Sequence, residues 1–154
     1  MDLEKKFANS EMVGSDSRPD HEQRMAGGDA TYLIVEHDGQ AAGFVILCGL
    51  RSRHHNIELK RIIVSEPGAG MGREALRLVE SMVFGELSAH RLWLDVYSDN
   101  ERARRAYRAA GFVEEGVMRE CVWSGGRFRS MVLMSILEGE FAVRDQRAVI
   151  IPRS

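Results

Sequence analysis

The 154-residue sequence has few cysteines and prolines, no excess of one charge and no long apolar run. The two cysteines, Cys48 and Cys121, suit neither a metal site nor a disulfide scaffold, so we expect both to be reduced and buried. No apolar run approaches the roughly 20 residues of a membrane helix, and the N-terminal residues lack the apolar core of a signal peptide. A net charge of -2 gives no general attraction to nucleic acid. These features predict a single cytoplasmic domain over 1–154, without a membrane or nucleic-acid partner.

Apolar segments with the period of strands or helices follow one another along the chain. Three strand-like segments come first and are separated by short turns, which favours an antiparallel arrangement. A glycine-rich turn, a helix, a strand, a second helix and a hairpin at Gly125-Gly126 follow. The order predicts an α+β fold with a central mixed, mostly antiparallel sheet flanked by helices. The predicted strands are 31–38, 41–50, 56–64, 91–98 and the two arms of the hairpin, with a polar, weakly helical segment at 1–30 and a tail at 138–154.

The stretch SEPGAGMGREAL places Gly68, Gly70 and Gly72 directly before the first helix. Glycines at this position leave backbone N–H groups and the positive helix end open to an anion, so a phosphate group is the expected ligand. The alternative is a tight turn that only packs the helix against the sheet. A Walker loop is excluded because Arg73 follows Gly72 in place of lysine. A Rossmann-like dinucleotide binder stays a minor alternative, since the glycine spacing differs and Asp95, at the distance of a ribose-binding acid, lies inside a strand.

Two motifs in this order resemble the GNAT superfamily of acetyl-CoA-dependent N-acetyltransferases. The first is G-x-G-x-G between an apolar strand and a helix, and the second is N-x-x-A-x-x-x-Y-x-x-x-G-F, formed by Asn100, Ala103, Tyr107, Gly111 and Phe112. The resemblance covers about residues 31–137. The stretch AYRAAGFVEEGVMRE, with the glycine turn and VLMSIL after it, is similar to the Rim-type branch, whose members modify protein N-termini and small amines. The resemblance implies the GNAT fold with a shortened N-terminal region, acetyl-CoA as co-substrate and no metal.

The resemblance also implies roles for individual residues. The turn from Gly68 to Arg73 would bind the coenzyme A pyrophosphate through its backbone amides, and the strand end from Ile62 to Val64 would pair with the pantetheine arm. Asn100 would help to hold the cofactor, and Tyr107 would approach the thioester sulfur. The implied cofactor-binding set is Ile62, Ile63, Val64, Gly68, Ala69, Gly70, Met71, Gly72, Arg73, Asn100 and Tyr107.

Transfer to an amine needs a base and an acid, because the acceptor is mostly ammonium at pH 7 and the departing thiolate leaves better when protonated. Tyr107 is the candidate acid, since its helix face points to the sheet; the alternative is a packed aromatic residue. Glu58 is the candidate base, because it shares a strand face with Val64 if no bulge intervenes. The alternative for Glu58 is an ion pair with Lys60 or Arg61, and an ordered water would then serve as base.

The sequence leaves the acceptor and the assembly open. A protein N-terminus and a small-molecule amine both fit, and a non-catalytic coenzyme A binding module of the same fold is the competing function. The apolar run from Ala148 to Ile151 follows the last expected strand, and such a run seeks a sheet edge or a second chain. We therefore expect a possible homodimer.

Overall fold

A mixed sheet with helices on its flank forms the body of the protein. The computed structural model describes residues 28–66 and 70–147, and within them six strands and three helices alternate. These elements are β1 (Ala30–His37), β2 (Gln40–Cys48), β3 (Asn56–Val64), α1 (Met71–Ser81), β4 (Arg91–Tyr97), α2 (Glu101–Ala109), β5 (Val113–Ser124), β6 (Arg127–Leu137) and α3 (Glu138–Arg147). A π-helical turn, Met82–Glu86, continues α1.

The strands lie in the order β1-β2-β3-β4-β6-β5. Strand β2 pairs antiparallel with β1 on one side and with β3 on the other, as predicted from the short connections. Strand β4 runs parallel to β3, because α1 carries the chain back across the sheet, and the β5–β6 hairpin completes the far edge with antiparallel pairs. The predicted mixed, mostly antiparallel sheet is therefore confirmed. The Rossmann-like alternative is wrong, since three antiparallel strands precede the glycine turn.

Helices α1 and α2 cover one side of the sheet, which we call the helical face. Their apolar residues, recurring at helical spacing, form one buried cluster with alternate residues of the strands. Leu76 and Val79 represent α1 in this cluster, Ala103 and Tyr107 represent α2, and Leu94 represents β4. The opposite side, the reverse face, carries a smaller cluster made by Ala30, Phe44, Ile46, Cys48 and Ile63. Burial of these apolar side chains, at about 25 cal/mol per Å², is the main force that holds the helices on the sheet.

A β-bulge in β3 changes which side chains share a face. The pairing with β2 steps from Ile46–Arg61 to Leu47–Leu59, so Lys60 is an extra residue in β3. An extra residue inverts the alternation of side chains on either side of it.

The bulge overturns the predicted orientation of Glu58. Glu58 pairs with Cys48, which belongs to the reverse-face cluster, whereas Leu59 and Val64 both join the cluster under the helices. The prediction that Glu58 and Val64 share a strand face is therefore wrong. The two side chains lie on opposite sides of the sheet.

Two further expectations need correction. Cys48 is buried as predicted, but Cys121 is exposed because the edge strand β5 is covered on neither side there. The segment expected only as a tail forms α3, whose Phe141 stacks on Phe84 with ring centroids 5.0 Å apart. The apolar run 148–151 and the segment 1–27 lie outside the described residues. Within the described ranges, no helix is both long and apolar enough to cross a membrane.

Candidate functional site

A cleft opens where β3 and β4 diverge. Their parallel pairing covers only Asn56–Glu58 against Arg91–Trp93, although β3 continues to Val64 and β4 to Tyr97. Each strand stays paired on its outer side, β3 with β2 and β4 with β6. Among the residues that the structure describes, no register pair joins the two strands beyond Glu58 and Trp93. We call the space between the diverging carboxyl ends of β3 and β4 the cleft.

The β3 side of the cleft offers backbone hydrogen-bonding groups. The N–H of Ser65 donates a hydrogen bond of 2.7 Å to β2. The carbonyl oxygen of Ile63 lies close to Gly43 of β2, since a Cβ added to that glycine would stand only 2.2 Å from this oxygen. The polar backbone groups of Ser65 and Ile63 thus point to β2. Because these groups alternate along a strand, those of Ile62 and Val64 point into the cleft. An extended ligand in the cleft can pair with them as with a neighbouring strand.

The N-terminus of α1 lies at the end of β3 and is open. Gly70 is its N-cap in a left-handed conformation with φ 81°, which a residue with a Cβ adopts at a cost, and no side chain caps the helix. The first-turn amides of Met71, Gly72 and Arg73 have no acceptor within the helix. A Cβ on Gly72 would meet only Val64 among the described residues, at an ordinary 3.9 Å. Packing among the described residues therefore does not require a glycine at position 72.

The rest of the predicted phosphate turn cannot be placed. Gly68 and Ala69, together with Pro67 before them, lie outside the described residues. The first turn of α1 is therefore the part of the predicted phosphate site that the structure describes.

The N-terminus of α2 follows β4 and is closed by its own side chain. The Oδ1 atom of Asn100 accepts a hydrogen bond from the N–H of Ala103 at 3.2 Å, and the Asn100 carbonyl accepts from Arg104 at 3.1 Å. Asn100 is therefore the N-cap of α2. Its predicted contact with the cofactor stays a prediction.

Tyr107 points from α2 into the core on the helical face. The residue is 6% exposed, and its ring meets the Phe112 ring edge-on at 5.8 Å between centroids. Burial, aided by the negative charge of Asp95, raises the pKa of the Tyr107 phenol well above its ordinary value. The phenol therefore keeps its proton at neutral pH, which is the state that a general acid needs before it acts.

Glu58 lies at the closed end of the cleft, on the reverse face. It occupies the last register pair with Trp93 before the strands diverge. The Oε1 atom of Glu58 lies 3.7 Å from Nζ of Lys60, with the Glu58 side chain 17% exposed. The predicted ion pair with Lys60 is therefore present.

Two glutamates of β5, Glu114 and Glu115, lie in ion pairs. Glu114 accepts hydrogen bonds from Arg104 at 3.0 Å and from Arg108 at 2.6 Å, and these hold its pKa below the usual range. Glu115 pairs with Arg91. A carboxylate stabilised in its charged form is a weak base, so Glu114 is a poor candidate for that role.

Asp95 is a residue of the site whose importance the sequence did not reveal. It lies on β4 beside the cleft, exposed, between the buried residues Leu94 and Val96. The sequence signal was present, because a carboxylate between two apolar residues of a strand must point to the other face. The distance of Asp95 from the glycine turn points only to a ribose-binding acid.

Comparison with known proteins decides the family. The sequence profile of the Acetyltransferase (GNAT) family matches residues 3–112. The chain belongs to the GNAT acetyltransferase family. The match begins well before residue 31, the start of the resemblance seen in the sequence.

Relatives of this GNAT domain include polyamine enzymes. Spermidine N(1)-acetyltransferase of Escherichia coli (strain K12) is 32% identical over 110 residues, which are 71% of this chain and 59% of that protein. A putative ribosomal N-acetyltransferase, YdaF of Bacillus subtilis, is 27% identical over 124 residues, covering 80% of this chain and 68% of that protein. The chain thus spans about three fifths of the length of the Escherichia coli relative.

Solved structures share the GNAT fold. A chimera of spermidine N-acetyltransferase SpeG from Vibrio cholerae and hSSAT superposes with a TM-score of 0.73 at 27% identity, covering 79% of this chain and 76% of that one. The GNAT fold implied by the two sequence motifs is confirmed. The comparisons do not single out the Rim-type branch, since spermidine acetyltransferases are at least as similar as the ribosomal relative.

Proposed function

We propose that this GNAT domain transfers an acetyl group from acetyl-CoA to a primary amine, and that the acceptor is a polyamine of the spermidine type. The cleft between β3 and β4, with the open N-terminus of α1 at its end, carries the proposal. The names of the relatives support the acceptor class.

The cofactor would lie along the cleft. Its pyrophosphate would meet the first-turn amides of α1, where the helix dipole favours an anion, together with the preceding turn from Gly68. The pantetheine amides would pair with the cleft-facing backbone of Ile62 and Val64, with Ile63 holding the strand to β2. Asn100 would border the cofactor from the N-terminus of α2. Acetyl-CoA serves as co-substrate, and no metal is required for the transfer.

The reaction is a direct attack without a covalent enzyme intermediate. The amine nitrogen forms a bond to the thioester carbonyl carbon, the carbon–sulfur bond breaks, and the sulfur leaves with the electron pair. A cleft-facing N–H of β3 stabilises the negative charge that develops on the carbonyl oxygen. Tyr107 gives its proton to the departing sulfur, as its buried, protonated phenol permits.

The amine must lose a proton before or during the attack. Glu58, at the closed end of the cleft, is the proposed base, acting directly or through an ordered water. Its side chain is 17% exposed, and its Oε1 atom lies 3.7 Å from Nζ of Lys60.

We also propose that the protein forms a homodimer. The tip of the β5–β6 hairpin exposes Trp123 and Phe128, which contact each other edge-on with ring centroids 4.8 Å apart. The hairpin lies at the sheet edge, where apolar side chains favour a partner chain. A monomeric mass by light scattering at micromolar concentration would refute this assembly.

Release of free thiol from acetyl-CoA tests the reaction. We expect release that depends on both protein and spermidine, and N-acetylspermidine by mass spectrometry. A non-catalytic module would bind acetyl-CoA but release no thiol with any amine. If a peptide with a free N-terminus reacts faster than spermidine, the acceptor is a protein N-terminus and not a polyamine, as the name of the ribosomal relative suggests.

A further inference from the structure

We propose that Asp95 binds a non-reacting ammonium group of the polyamine at the reverse-face mouth of the cleft. The inference rests on the proposed function and names the residue that would select a polyvalent cation over a simple amine. Asp95 would then be a specificity residue and not the base.

The position of Asp95 in the sheet is unusual for a charged residue. Strand β4 lies between β3 and β6, so it is an interior strand. Leu94 and Val96 are buried on the helical face, and Asp95 is exposed on the reverse face between them. It follows Trp93, the last β4 residue paired with β3, by two positions and therefore lies on the diverging side of the cleft. A carboxylate there meets whatever enters the cleft from the side opposite the helices.

The Asp95 carboxylate is not neutralised by a cation of the described residues. In the described part of the chain, its carboxylate has no ion pair or hydrogen bond, whereas Asp99, four residues on, accepts from Arg127 at 3.0 Å and from Arg129 at 2.7 Å. Arg129 also lies over the Tyr97 ring, 3.5 Å from its centroid. The guanidinium groups at this end of β4 are thus committed to Asp99 and Tyr97. The charge of Asp95 is left for a ligand.

Asp95 and the proposed acid face the same reaction centre from opposite sides. Tyr107 belongs to the helical face and Asp95 to the reverse face. The charge of Asp95 nevertheless contributes to the raised pKa of the Tyr107 phenol, so the two groups are within electrostatic range of each other. A thioester in the cleft would have the acid on one side and the carboxylate on the side from which the acceptor arrives.

The chemistry favours a contact with the second amine and not with the reacting one. A carboxylate stabilises an ammonium group and raises its pKa, which would oppose the proton loss that must precede attack. A spermidine-type acceptor carries further ammonium groups three or four methylenes away from the reacting nitrogen. Holding one of them orients the chain and adds affinity without this penalty. Trp93, half-buried two residues before Asp95 on the same strand face, offers an additional aromatic surface for the cation.

Comparison of a polyamine with a monoamine tests the proposal. We expect Asp95→Asn to lower the ratio of kcat/KM for spermidine to kcat/KM for n-butylamine by about tenfold or more, as expected for one lost charge-assisted contact. The matched control is Glu36→Gln on β1, an exposed carboxylate at the other edge of the sheet, which should leave the ratio within about twofold of wild type. An unchanged ratio in Asp95→Asn overturns the proposal, whether or not both rates fall together. Equal losses would place Asp95 at the reacting nitrogen.

A binding measurement separates failure of this inference from failure of the proposed function. Spermidine is titrated calorimetrically into protein that has been saturated with coenzyme A. This complex can bind the acceptor but cannot react, because it carries no acetyl group. We expect a dissociation constant about tenfold higher in Asp95→Asn than in wild type, with equal melting temperatures. If wild type releases no thiol with any amine but shows this difference, the function is wrong and the site is right. Wild type that binds no spermidine, or binds it as the variant does, refutes the site.

Discussion

The two helices that follow the parallel strands begin in different ways. Helix α1 starts at Gly70, in a left-handed conformation and without a side-chain cap, whereas α2 starts at Asn100, whose side chain accepts from Ala103 at 3.2 Å. Both N-termini lie at the carboxyl ends of the strands that border the cleft. The first leaves its amides to a ligand, and the second satisfies one of them itself.

The difference separates two tasks within one cleft. Helix α1 contributes main-chain N–H groups, which can bind an anionic group whatever molecule carries it. Gly70 and Gly72 have no side chain that would keep such a group away from these amides. Helix α2 contributes the side chain of Tyr107, and its capped end fixes the helix on which that side chain sits. We therefore expect changes in α1 to act on cofactor binding and changes in α2 to act on turnover.

The largest expected effect comes from removing the acid on α2. Tyr107→Phe should lower kcat for thiol release by about a hundredfold or more, because general acid catalysis contributes roughly 10²–10⁴. The acetyl-CoA dissociation constant, measured by calorimetry, should stay within about twofold of wild type, since the ring and its packing on Phe112 are retained. Equal kcat values in Tyr107→Phe and wild type would show that Tyr107 is not the acid. They would also contradict the expectation that α2 acts on turnover and α1 on cofactor binding.

A Cβ added at the open end of α1 should weaken acetyl-CoA binding without lowering the stability of the fold. Gly72→Ala should raise the acetyl-CoA dissociation constant about tenfold or more, because the methyl group would stand where the phosphate approaches. Stability should stay equal or rise by up to about 1 kcal/mol, since alanine is the better helix former and 3.9 Å from Val64 is an ordinary contact.

The matched control for that change is Gly139→Ala. Gly139 is likewise the second residue of its helix, α3, and a Cβ there would meet nothing within 4 Å among the described residues. It should gain the same stability without weakening acetyl-CoA. Equal weakening in both variants, or in neither, would contradict a phosphate at the N-terminus of α1.

The other end of α1 should respond to pH. Burial raises the pKa of Glu80 to about 7, and Arg144 at 4.0 Å offsets this only in part. Because this pKa exceeds the unfolded value of about 4.5, the folded state binds more protons between the two values. Stability from this group is complete below about pH 4.5 and is lost as pH rises through about 7.

Glu80→Gln removes that dependence. The variant should be more stable than wild type at pH 8 by roughly 2 kcal/mol, on the scale of 1.36 kcal/mol per pKa unit, and near wild type at pH 5. Urea unfolding at both pH values measures the difference, with the exposed Glu86→Gln as control. Identical pH dependence in the variant and wild type would show that Glu80 titrates normally.

The smallest effect should come from the cap of α2. Asn100→Ala should lower stability by about 1 kcal/mol, or the melting temperature by about 2–4 °C, since Ala103 loses its acceptor. Asn100→Asp keeps an acceptor and should melt close to wild type. If Asn100→Asp nevertheless weakens acetyl-CoA, Asn100 touches the cofactor as well as the helix, and the contrast between the two N-termini is less sharp than their caps indicate.

Local patterns predicted most of the fold. The strand Asn56–Val64 and the hairpin turn at Gly125-Gly126 follow from β-branched runs and glycine. The bulge at Lys60 has no such signal, since it arises from the register with β2, and it moved Glu58 to the reverse face. The cleft was also hidden, because divergence of two strands is a property of the whole sheet. Helix α3 was missed because its anchor, Phe141 on Phe84, is a tertiary contact.

Calorimetric titration of the wild-type protein with acetyl-CoA, with NAD as control, tests the central claim most directly. The claim is that the cleft between β3 and β4 holds coenzyme A with its pyrophosphate on the open end of α1. We expect saturable binding of acetyl-CoA with a micromolar dissociation constant and no binding of NAD. Absence of acetyl-CoA binding, or equal binding of NAD, would contradict the claim, and the proposed acetyl transfer would fail with it.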